Sequence, residues 1–240
     1  MDYKYRVMFK VLAMLMVTLI GIPAYFYYGG SIGMAIVFTL YGLVTNALGQ
    51  IAYHRWLAHS QFKPNTIGRY AMIFSTIACG NGNHIHNVYA HLNHHKHYDT
   101  EKDTHNPKDL GFFKMWLGLY KTPTEYFSLR NVLKHRDVIF ASNHYWKLYF
   151  VISVFHFIIS PWLVVWQAFN FTHMWIGLNW LNYDGHRDGK PSKITGFINL
   201  WMIGEGNHDV HHRKSSQLDM TENGNIDWGG RYIIPKLLAE

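Results

Sequence analysis

The sequence predicts an all-α integral membrane protein, with four transmembrane helices in two hairpins and a cytoplasmic helical cap that contains clustered histidines. Three observations lead to this fold class. Apolar residues make up 49% of the 240 residues and are concentrated in blocks long enough to cross a bilayer. The Lys and Arg residues avoid the short loop inside each predicted hairpin. Most of the 17 histidines lie in short clusters outside the apolar blocks.

The first predicted hairpin consists of spans 7–28 and 32–53, joined by Gly29, Gly30 and Ser31. Lys10 interrupts the first span near its start, and its long side chain can reach the membrane interface. The apolar core of a cleaved signal peptide has about 7 to 15 residues. The length of the first block and the second block that follows it at once therefore favour a membrane span.

The second predicted hairpin consists of spans 139–159 and 161–181, divided at Ser160 and Pro161. Pro161 suits the first turn of a helix, and Ser160 is expected to cap that helix. The remaining segments, 54–138 and 182–240, form the cap, and the whole chain, 1–240, forms one domain. Because the basic residues concentrate in the cap and near the N-terminus, both termini of this multi-pass protein are expected in the cytoplasm.

Two shorter apolar stretches, 67–79 and 110–120, are too brief to cross a bilayer. They are expected to form helices that lie in the membrane interface or, equally, core helices of the cap. The sequence leaves both alternatives open.

Three histidine clusters and one further histidine have the spacing of metal ligands. They are HRWLAH at 54–59, HLNHH at 91–95, NYDGH ending at 186 and HDVHH at 208–212. On a helix, the first, fourth and fifth residues of HxxHH lie within an arc of about 100°, so each such box can aim three imidazoles at one place. The candidate ligands are His54, His59, His91, His94, His95, His186, His208, His211 and His212. The lone histidines His135, His144, His156 and His173 are expected to be ordinary surface or core residues.

Nine imidazole nitrogens suit two metal ions of coordination number five or six rather than one tetrahedral zinc. The only cysteine, Cys79, offers no thiolate cluster, so the donor set favours iron over manganese or cobalt. Zinc can replace iron in overexpressed protein because it binds imidazole more tightly. The cap is thus expected to hold a di-iron centre. Since the step from His54 to His59 turns an ideal helix by about 140°, that helix is expected to end or bulge between them.

The four histidine elements, with their flanking residues, resemble those of the membrane fatty acid desaturases, most closely the stearoyl-type delta-9 group. AYHRWLAHSQFK is similar to the first box, HLNHHKHYDTEKDTHNPKDLGFF to the second, GEGNHDVHH to the third, and NYDGH to the Asn-x-x-x-His element. One departure is RDGK after His186, where the family often has Gly-Tyr-Arg. This difference bears on the acyl carrier and headgroup rather than on the metal site.

The resemblance implies an oxygen-dependent desaturase that places a cis double bond, at delta-9, in the acyl chain of an acyl-CoA or acyl lipid. The chain has no glycine-rich dinucleotide motif or attached redox segment, so electrons come from an acidic carrier such as a ferredoxin or cytochrome b5. The net charge of +7 suits this carrier and membrane lipids, and nucleic acid is not expected as a partner. The basic residues proposed to face the carrier are Lys63, Arg69, Lys96, Lys102, Arg213 and Lys214.

Further residues are assigned supporting roles. Asn182 lies one helical turn before His186 and is expected to hold a metal-bound water. Imidazole N–H groups are expected to be held by residues near the boxes, which are Asp99, Asp103, His105, Asp184, Glu205 and Asp209. Residues about four turns before His54 would lie some 20 to 25 Å from the metals, where an acyl tunnel would end. Phe38 and Tyr41 are the bulky candidates there.

Two other functions remain open from the sequence. A hydroxylase or ketolase acting on alkyl chains, sterols or carotenoids would use the same boxes. A membrane metal transporter or sensor is a different class, and it would place ionisable residues at the middle of the bilayer rather than at the ends of the spans.

Overall fold

The computed structural model describes residues 3–121 and 129–239, and within these ranges every regular element is a helix. The two isolated β-bridges, Pro64 with Leu238 and Glu222 with Asn225, do not extend into strands. The α-helices are α1 Tyr3–Tyr27, α2 Ile32–Gln50, α3 Thr66–Ala78, α4 His84–His97, α5 Pro107–Trp116, α6 Arg130–Leu133, α7 Arg136–Asn143, α8 Tyr145–Ile159, α9 Pro161–His186, α10 Phe197–Trp201 and α11 His208–Arg213. A π-helix, Ile51–Ala58, continues α2, and a second π-helix, Gly229–Ile233, leads into a 3₁₀ turn, Ile234–Lys236.

The first hairpin has the predicted form. Ser31 caps α2 by accepting a hydrogen bond from the backbone N–H of Met34 at 3.2 Å. Two helical segments, Tyr5–Tyr27 and Ile32–Ala58, are long and apolar enough to cross a membrane, with mean hydropathies of 2.1 and 1.6. Both agree with the predicted spans, although the second helical segment extends past residue 53 because the π-helix continues it.

The second hairpin differs from the prediction in two respects. The expected span 139–159 is divided, because the helix breaks at His144, whose Nδ1 lies 3.0 Å from the carbonyl oxygen of Phe140. The apolar helix that remains, α8, has 15 residues. Pro161 begins α9 as predicted, but the side chain of Ser160 forms no capping hydrogen bond. Four transmembrane spans therefore remain a proposal, which rests on the two segments named above and on the pairing of α8 with α9.

Helix α9 is the central element of the fold and packs against α1, α2, α5 and α8. Small residues allow close approach: an added Cβ at Gly42 of α2 would overlap the side chain of Asn170. Lys10 of α1 does not extend to the interface. Its ammonium group donates a hydrogen bond to the carbonyl oxygen of Gly80 and lies 4.5 Å from the centre of the Phe171 ring. These contacts hold α1 against both α9 and the turn after α3.

The two short apolar stretches form α3 and α5. One face of α3 packs into the core through residues such as Met72 and Ile77, while Ile67 and Tyr70 on the opposite face are exposed. An amphipathic helix whose outer face is also apolar fits the interface alternative better than a helix buried inside the cap. Gly111 interrupts α5 with a φ of +66°, a conformation that favours glycine.

Candidate metal centre

The nine box histidines converge on two adjacent groups. In each group the ligand nitrogens all lie within 4.8 Å of one another. One group contains five residues, which are His54, His59, His91, His95 and His211. The other contains four residues, which are His94, His186, His208 and His212. Each lone histidine named in the sequence lies outside both groups.

Each HxxHH box divides its residues between the two groups. On α4, His91 and His95 are one turn apart and face the five-histidine group, whereas His94 faces the other. On α11 the arrangement is reciprocal: His208 and His212 face the four-histidine group, and His211 faces the first. The expectation that one box aims three imidazoles at one place was therefore wrong. The arc of about 100° is wide enough to span two neighbouring sites.

The first box lies on the π-helix. The backbone N–H of His59 donates to the carbonyl oxygen of His54 at 3.1 Å, which closes a turn of five residues. Residues five apart consequently share a face, and the two imidazole centroids lie 5.1 Å apart. The predicted bulge between these histidines is confirmed, and it brings both side chains into one group.

His186, the last residue of α9, lies at the middle of the four-histidine group. Its Nε2 is 3.1 Å from Nε2 of His94, 3.2 Å from that of His212 and 2.8 Å from that of His208. His186 is fully buried. A long helix packed against four others thus delivers one imidazole to the centre of this group.

Carboxylates orient three of the imidazoles. Glu205 lies 2.8 Å from Nδ1 of His54, and Asp103 lies 3.0 Å from Nδ1 of His94. Asp99 lies 3.1 Å from Nδ1 of His186. Each of these Nδ1–H groups donates to its carboxylate, so the lone pair of Nε2 points into the histidine group.

The other residues assigned supporting roles lie in different surroundings. Asp184 accepts a hydrogen bond from the indole of Trp180 at 2.9 Å, and Asp209 accepts one from Arg213 at 3.3 Å. Neither carboxylate bonds to a box histidine in the described part of the chain. Trp180 lies one turn before Asp184 on α9, and Arg213 lies one turn after Asp209 at the end of α11. Asn182 is half-buried one turn before His186, and its amide forms no hydrogen bond with another described residue.

His105 supports the four-histidine group from outside. Its ring stacks on that of His94 with centroids 4.1 Å apart, and its backbone N–H donates to Asp103 at 3.1 Å. Its Nδ1 lies 2.9 Å from the hydroxyl of Thr104. His105 therefore packs against a ligand candidate and helps to hold the carboxylate that orients it.

Burial lowers the pKa values of eight of the nine clustered imidazoles. Burial first, and then the neighbouring histidines, hold the pKa values of five of them well below the usual range; these are His91, His94, His95, His208 and His211. Burial alone would raise the pKa of the Glu205 carboxylate. The charges and hydrogen bonds of Arg55 and His54 outweigh this effect and lower the pKa to about 2. Burial raises the pKa of Asp103 to about 7. Neutral imidazole is the form that binds a metal ion.

Arg55 is a functional residue that the sequence reasoning missed. Its side chain is fully buried, and its guanidinium donates to Glu205 at 2.7 Å and to both carboxylate oxygens of Asp227 at 2.8 and 3.0 Å. The available signal was an arginine inside a histidine box, next to His54. A buried guanidinium needs carboxylate partners, and these came from segments far along the chain.

The facing lone pairs provide a test of whether the histidines fit a metal ion. Because His94 and His186 both donate their Nδ1–H to carboxylates, their Nε2 atoms carry only lone pairs, yet these atoms are 3.1 Å apart. Two lone pairs at this distance repel each other unless a cation lies between them. Ligands at about 2.0 to 2.2 Å from one ion are separated by this kind of distance. The donor set and its geometry therefore fit bound metal.

The proposed tunnel residues lie away from the histidine groups. Phe38 packs against Trp166, with ring centroids 5.5 Å apart, in a cluster with Tyr25 and Leu163. The hydroxyl of Tyr41 lies 2.9 Å from Nε2 of His156. Both side chains fill contacts between helices. Their place at the end of an acyl tunnel remains a prediction.

Among the six basic residues assigned to a carrier surface, Arg69 and Arg213 form ion pairs within the chain. Arg69 forms an ion pair with Asp137 at 2.5 Å, and Arg213 pairs with Glu222 at 2.9 Å. Their charges are therefore partly compensated within the chain. The sequence could not show this, because the acidic partner of Arg69 lies 68 residues away.

Comparison with known proteins connects this site to an enzyme family, although no protein-family model matches the chain. The delta-9 desaturase-like 3 protein of Arabidopsis thaliana is 24% identical over 194 residues, which are 80% of the chain and 59% of that relative. The sn-1 stearoyl-lipid 9-desaturase of Synechocystis sp. is 25% identical over 224 residues, which are 87% of the chain and 69% of that relative. The icosanoyl-CoA 5-desaturase of Limnanthes douglasii is 26% identical over 195 residues, covering 74% of the chain and 54% of that relative.

The chain spans about three fifths of the length of these relatives. All three relatives are desaturases or desaturase-like proteins by name, and two of the names give different acyl carriers and positions, a lipid with position 9 and CoA with position 5. The structure brings the histidine elements together in one centre. The chain is therefore similar in sequence to fatty acid desaturases.

Proposed function

We propose that this protein is an oxygen-dependent fatty acyl desaturase, which introduces a cis double bond, at delta-9, into a saturated acyl chain. Two iron ions would be held by the five-histidine and four-histidine groups, and their chemistry with dioxygen would supply the oxidant that an unactivated methylene requires. The observation that carries this proposal is the division of nine imidazoles, four of them buried and five partly buried, into two adjacent groups.

The residues of the chain would position and insulate this chemistry. Glu205, Asp103 and Asp99 hold three imidazole rings in the tautomer whose Nε2 is free. Asn182 stands one turn from His186 with its amide free of partners among the described residues, and it would hold a water molecule bound to the metal of the four-histidine group. Four of the nine histidines are buried and five are partly buried, which would limit the access of bulk water to the reacting carbon.

The membrane arrangement is also part of the proposal. We infer four spans, formed by α1, by α2 with its π-helix, by α8 and by α9, with both termini and the metal centre at the cytoplasmic side. Apolar helices would then hold the acyl chain, as an acyl-CoA or acyl lipid, while the cytoplasmic face admits its polar head. Electrons would come from an acidic carrier of the ferredoxin or cytochrome b5 type, steered by the positive charge of the cap.

The test is lipid analysis after expression in a host that lacks its own desaturase. We expect monounsaturated fatty acids in cells that produce the protein and are fed a saturated acid. His94→Ala should abolish them, and His144→Ala is the matched control because that histidine lies outside both groups. Hydroxylated or keto products in place of monoenes would assign the centre to a hydroxylase or ketolase. If neither kind of product forms and metal ions move across the membrane, the protein would instead be a transporter.

A further inference from the structure

A cavity of about 500 Å³ lies between α2, α9 and α10, beside the metal centre. Its walls are mostly apolar and include Leu43 and Phe169. At one end it reaches Gln50, four residues before His54, and Ile203, two residues before Glu205. The volume is within the range of small-molecule sites, about 300 to 1,000 Å³. The cavity therefore begins about one helical turn from the first histidine box and runs along α2 toward Thr39.

Hydrogen-bonding side chains, among them Asn46, Gln50 and His173, interrupt this apolar lining. Asn46 and Gln50 lie one turn apart on α2, and His173 faces them from α9. The indole N–H of Trp201 donates to Nδ1 of His173 at 3.2 Å and holds the imidazole at the cavity wall. The amide nitrogen of Asn46 donates to the carbonyl oxygen of Asn170 at 2.9 Å.

Gln50 lines the same cavity, is only 7% exposed, and forms no side-chain hydrogen bond with any residue in the described ranges. The amide oxygen of Asn46, one turn away, is buried without a hydrogen-bond partner among the described residues. A buried amide oxygen without a hydrogen bond costs about 1 to 3 kcal/mol. Polar residues inside membrane helices are rare and mark functional sites. Two neighbouring amides with unpaired groups, in a cavity that begins one turn from His54, thus indicate a ligand that supplies a hydrogen bond.

We propose that the cavity binds a substrate chain that carries a hydroxyl group between the reacting carbon and the methyl end, and that the amide of Gln50 recognises this hydroxyl. The inference rests on the proposed desaturase function, since it assumes that the chain passes the metal centre. A plain hydrocarbon chain would leave the amide unsatisfied. A hydroxyl can both donate to the amide oxygen and accept from the amide nitrogen.

The selectivity follows from the cost of an unpaired polar group. A site built to bond a substrate hydroxyl discriminates strongly against the analogue that lacks it, because the polar group of the site then remains unpaired. We therefore expect at least about a tenfold preference in kcat/KM for the chain with a suitably placed hydroxyl. Asn46 lies about 6 Å from Gln50 along α2, farther from His54, and His173 faces it from α9. The separation of Gln50 and Asn46 sets the range of hydroxyl positions that the cavity accepts.

The experiment compares stearic acid with a series of stearic acids that each carry one hydroxyl between the reacting carbon and the methyl end. Metal-loaded full-length protein is assayed for unsaturated products, and the bound lipid is measured separately by native mass spectrometry. One or two hydroxylated isomers should be bound and converted in preference to stearic acid. Gln50→Leu should reverse this preference by removing the amide from a wall of similar size. Gln217→Leu, the same change outside the cavity, should retain it.

The readouts separate the inference from the proposed function. Conversion of stearic acid with no preference for any hydroxylated isomer would overturn the inference and leave the desaturase function intact. The inference would also be overturned if Gln50→Leu kept the preference of the unaltered protein. Preferential binding of a hydroxylated isomer without any unsaturated product would overturn the desaturase function and retain the binding site.

Discussion

The carboxylate of Asp227 accepts two hydrogen bonds from the guanidinium of Arg55, across 172 positions of sequence and in a fully buried environment. The same guanidinium donates through Nε to Glu205 at 2.7 Å, and Glu205 in turn holds Nδ1 of His54 at 2.8 Å. The backbone N–H groups of Met220 and Gly230 also donate to Asp227. The segment after the last histidine box is thus connected to the first box by a chain of charged hydrogen bonds.

Asp227→Asn should destabilise the protein and weaken the five-histidine group. The neutral amide loses the charge-assisted hydrogen bonds from Arg55, each worth about 1.5 to 3 kcal/mol, although Arg55 stays paired with Glu205. The midpoint of thermal unfolding in detergent measures this effect, and the metal content of the same sample measures the effect on His54. Asp219→Asn is the control, since its pair with Arg231 is exposed and contributes less than about 1 kcal/mol. Equal unfolding midpoints for the two variants would contradict the buried role of Asp227.

The two histidine groups should respond differently to the loss of one ligand. Purified protein is expected to hold about two metal ions per chain, because nine imidazoles are divided between two sites. His208→Ala leaves three imidazoles in its group, whereas His211→Ala leaves four. Elemental analysis after mild chelation should therefore show a greater loss of metal from His208→Ala. One ion per chain in the unaltered, folded protein would refute the two-site arrangement.

Asp103→Ala should reduce metal affinity by about 10- to 100-fold, which is the usual effect of removing a carboxylate that orients a histidine ligand. Without Asp103, Nδ1 of His94 loses its acceptor and the ring can turn away from the group. Asp184→Ala provides the matched control, because that carboxylate accepts from Trp180 and not from a box histidine. Metal titration of both variants checks the difference. Similar affinities for the two would show that Asp103 does not orient His94.

Asn182→Ala should impair turnover more than metal content. Its amide forms no hydrogen bond within the described ranges and stands one turn from His186, which suits contact with a metal-bound water rather than a role in packing. Product formation and elemental analysis of the same preparation give the comparison. A proportional loss of both quantities would instead make Asn182 a direct ligand or a residue needed for folding.

Phe38→Ala and Tyr41→Ala should lower stability without changing the length of the acyl chains converted. Phe38 fills a contact with Trp166, and the hydroxyl of Tyr41 is bonded to His156. Deleting a buried aromatic ring costs about 3 to 5 kcal/mol. Thermal unfolding and the chain-length distribution of the products are the two measurements. If either variant converted longer acyl chains than the unaltered protein, the substituted residue would lie at the end of the acyl tunnel.

The sequence was sufficient to predict the all-helical architecture, because long apolar blocks and proline positions act locally. The turns at Ser31 and Pro161 lie where the local pattern places them. The break at His144 was missed, since a side chain that bonds to the carbonyl of Phe140 within its own helix leaves no trace in hydropathy. For the same reason, the third span was predicted to begin too early.

The histidine spacing by itself determined which nine residues were candidate ligands, because metal ligands must share a face of a helix within one or two turns. Only the tertiary structure decided how they divide into groups of five and four, since the reciprocal use of α4 and α11 depends on how the helices pack. The same applies to the carboxylates: Asp103 and Glu205 hold histidines, while Asp184 and Asp209 bond to neighbours of their own. A residue type shows what a side chain can bind, and packing over long separations determines what it meets.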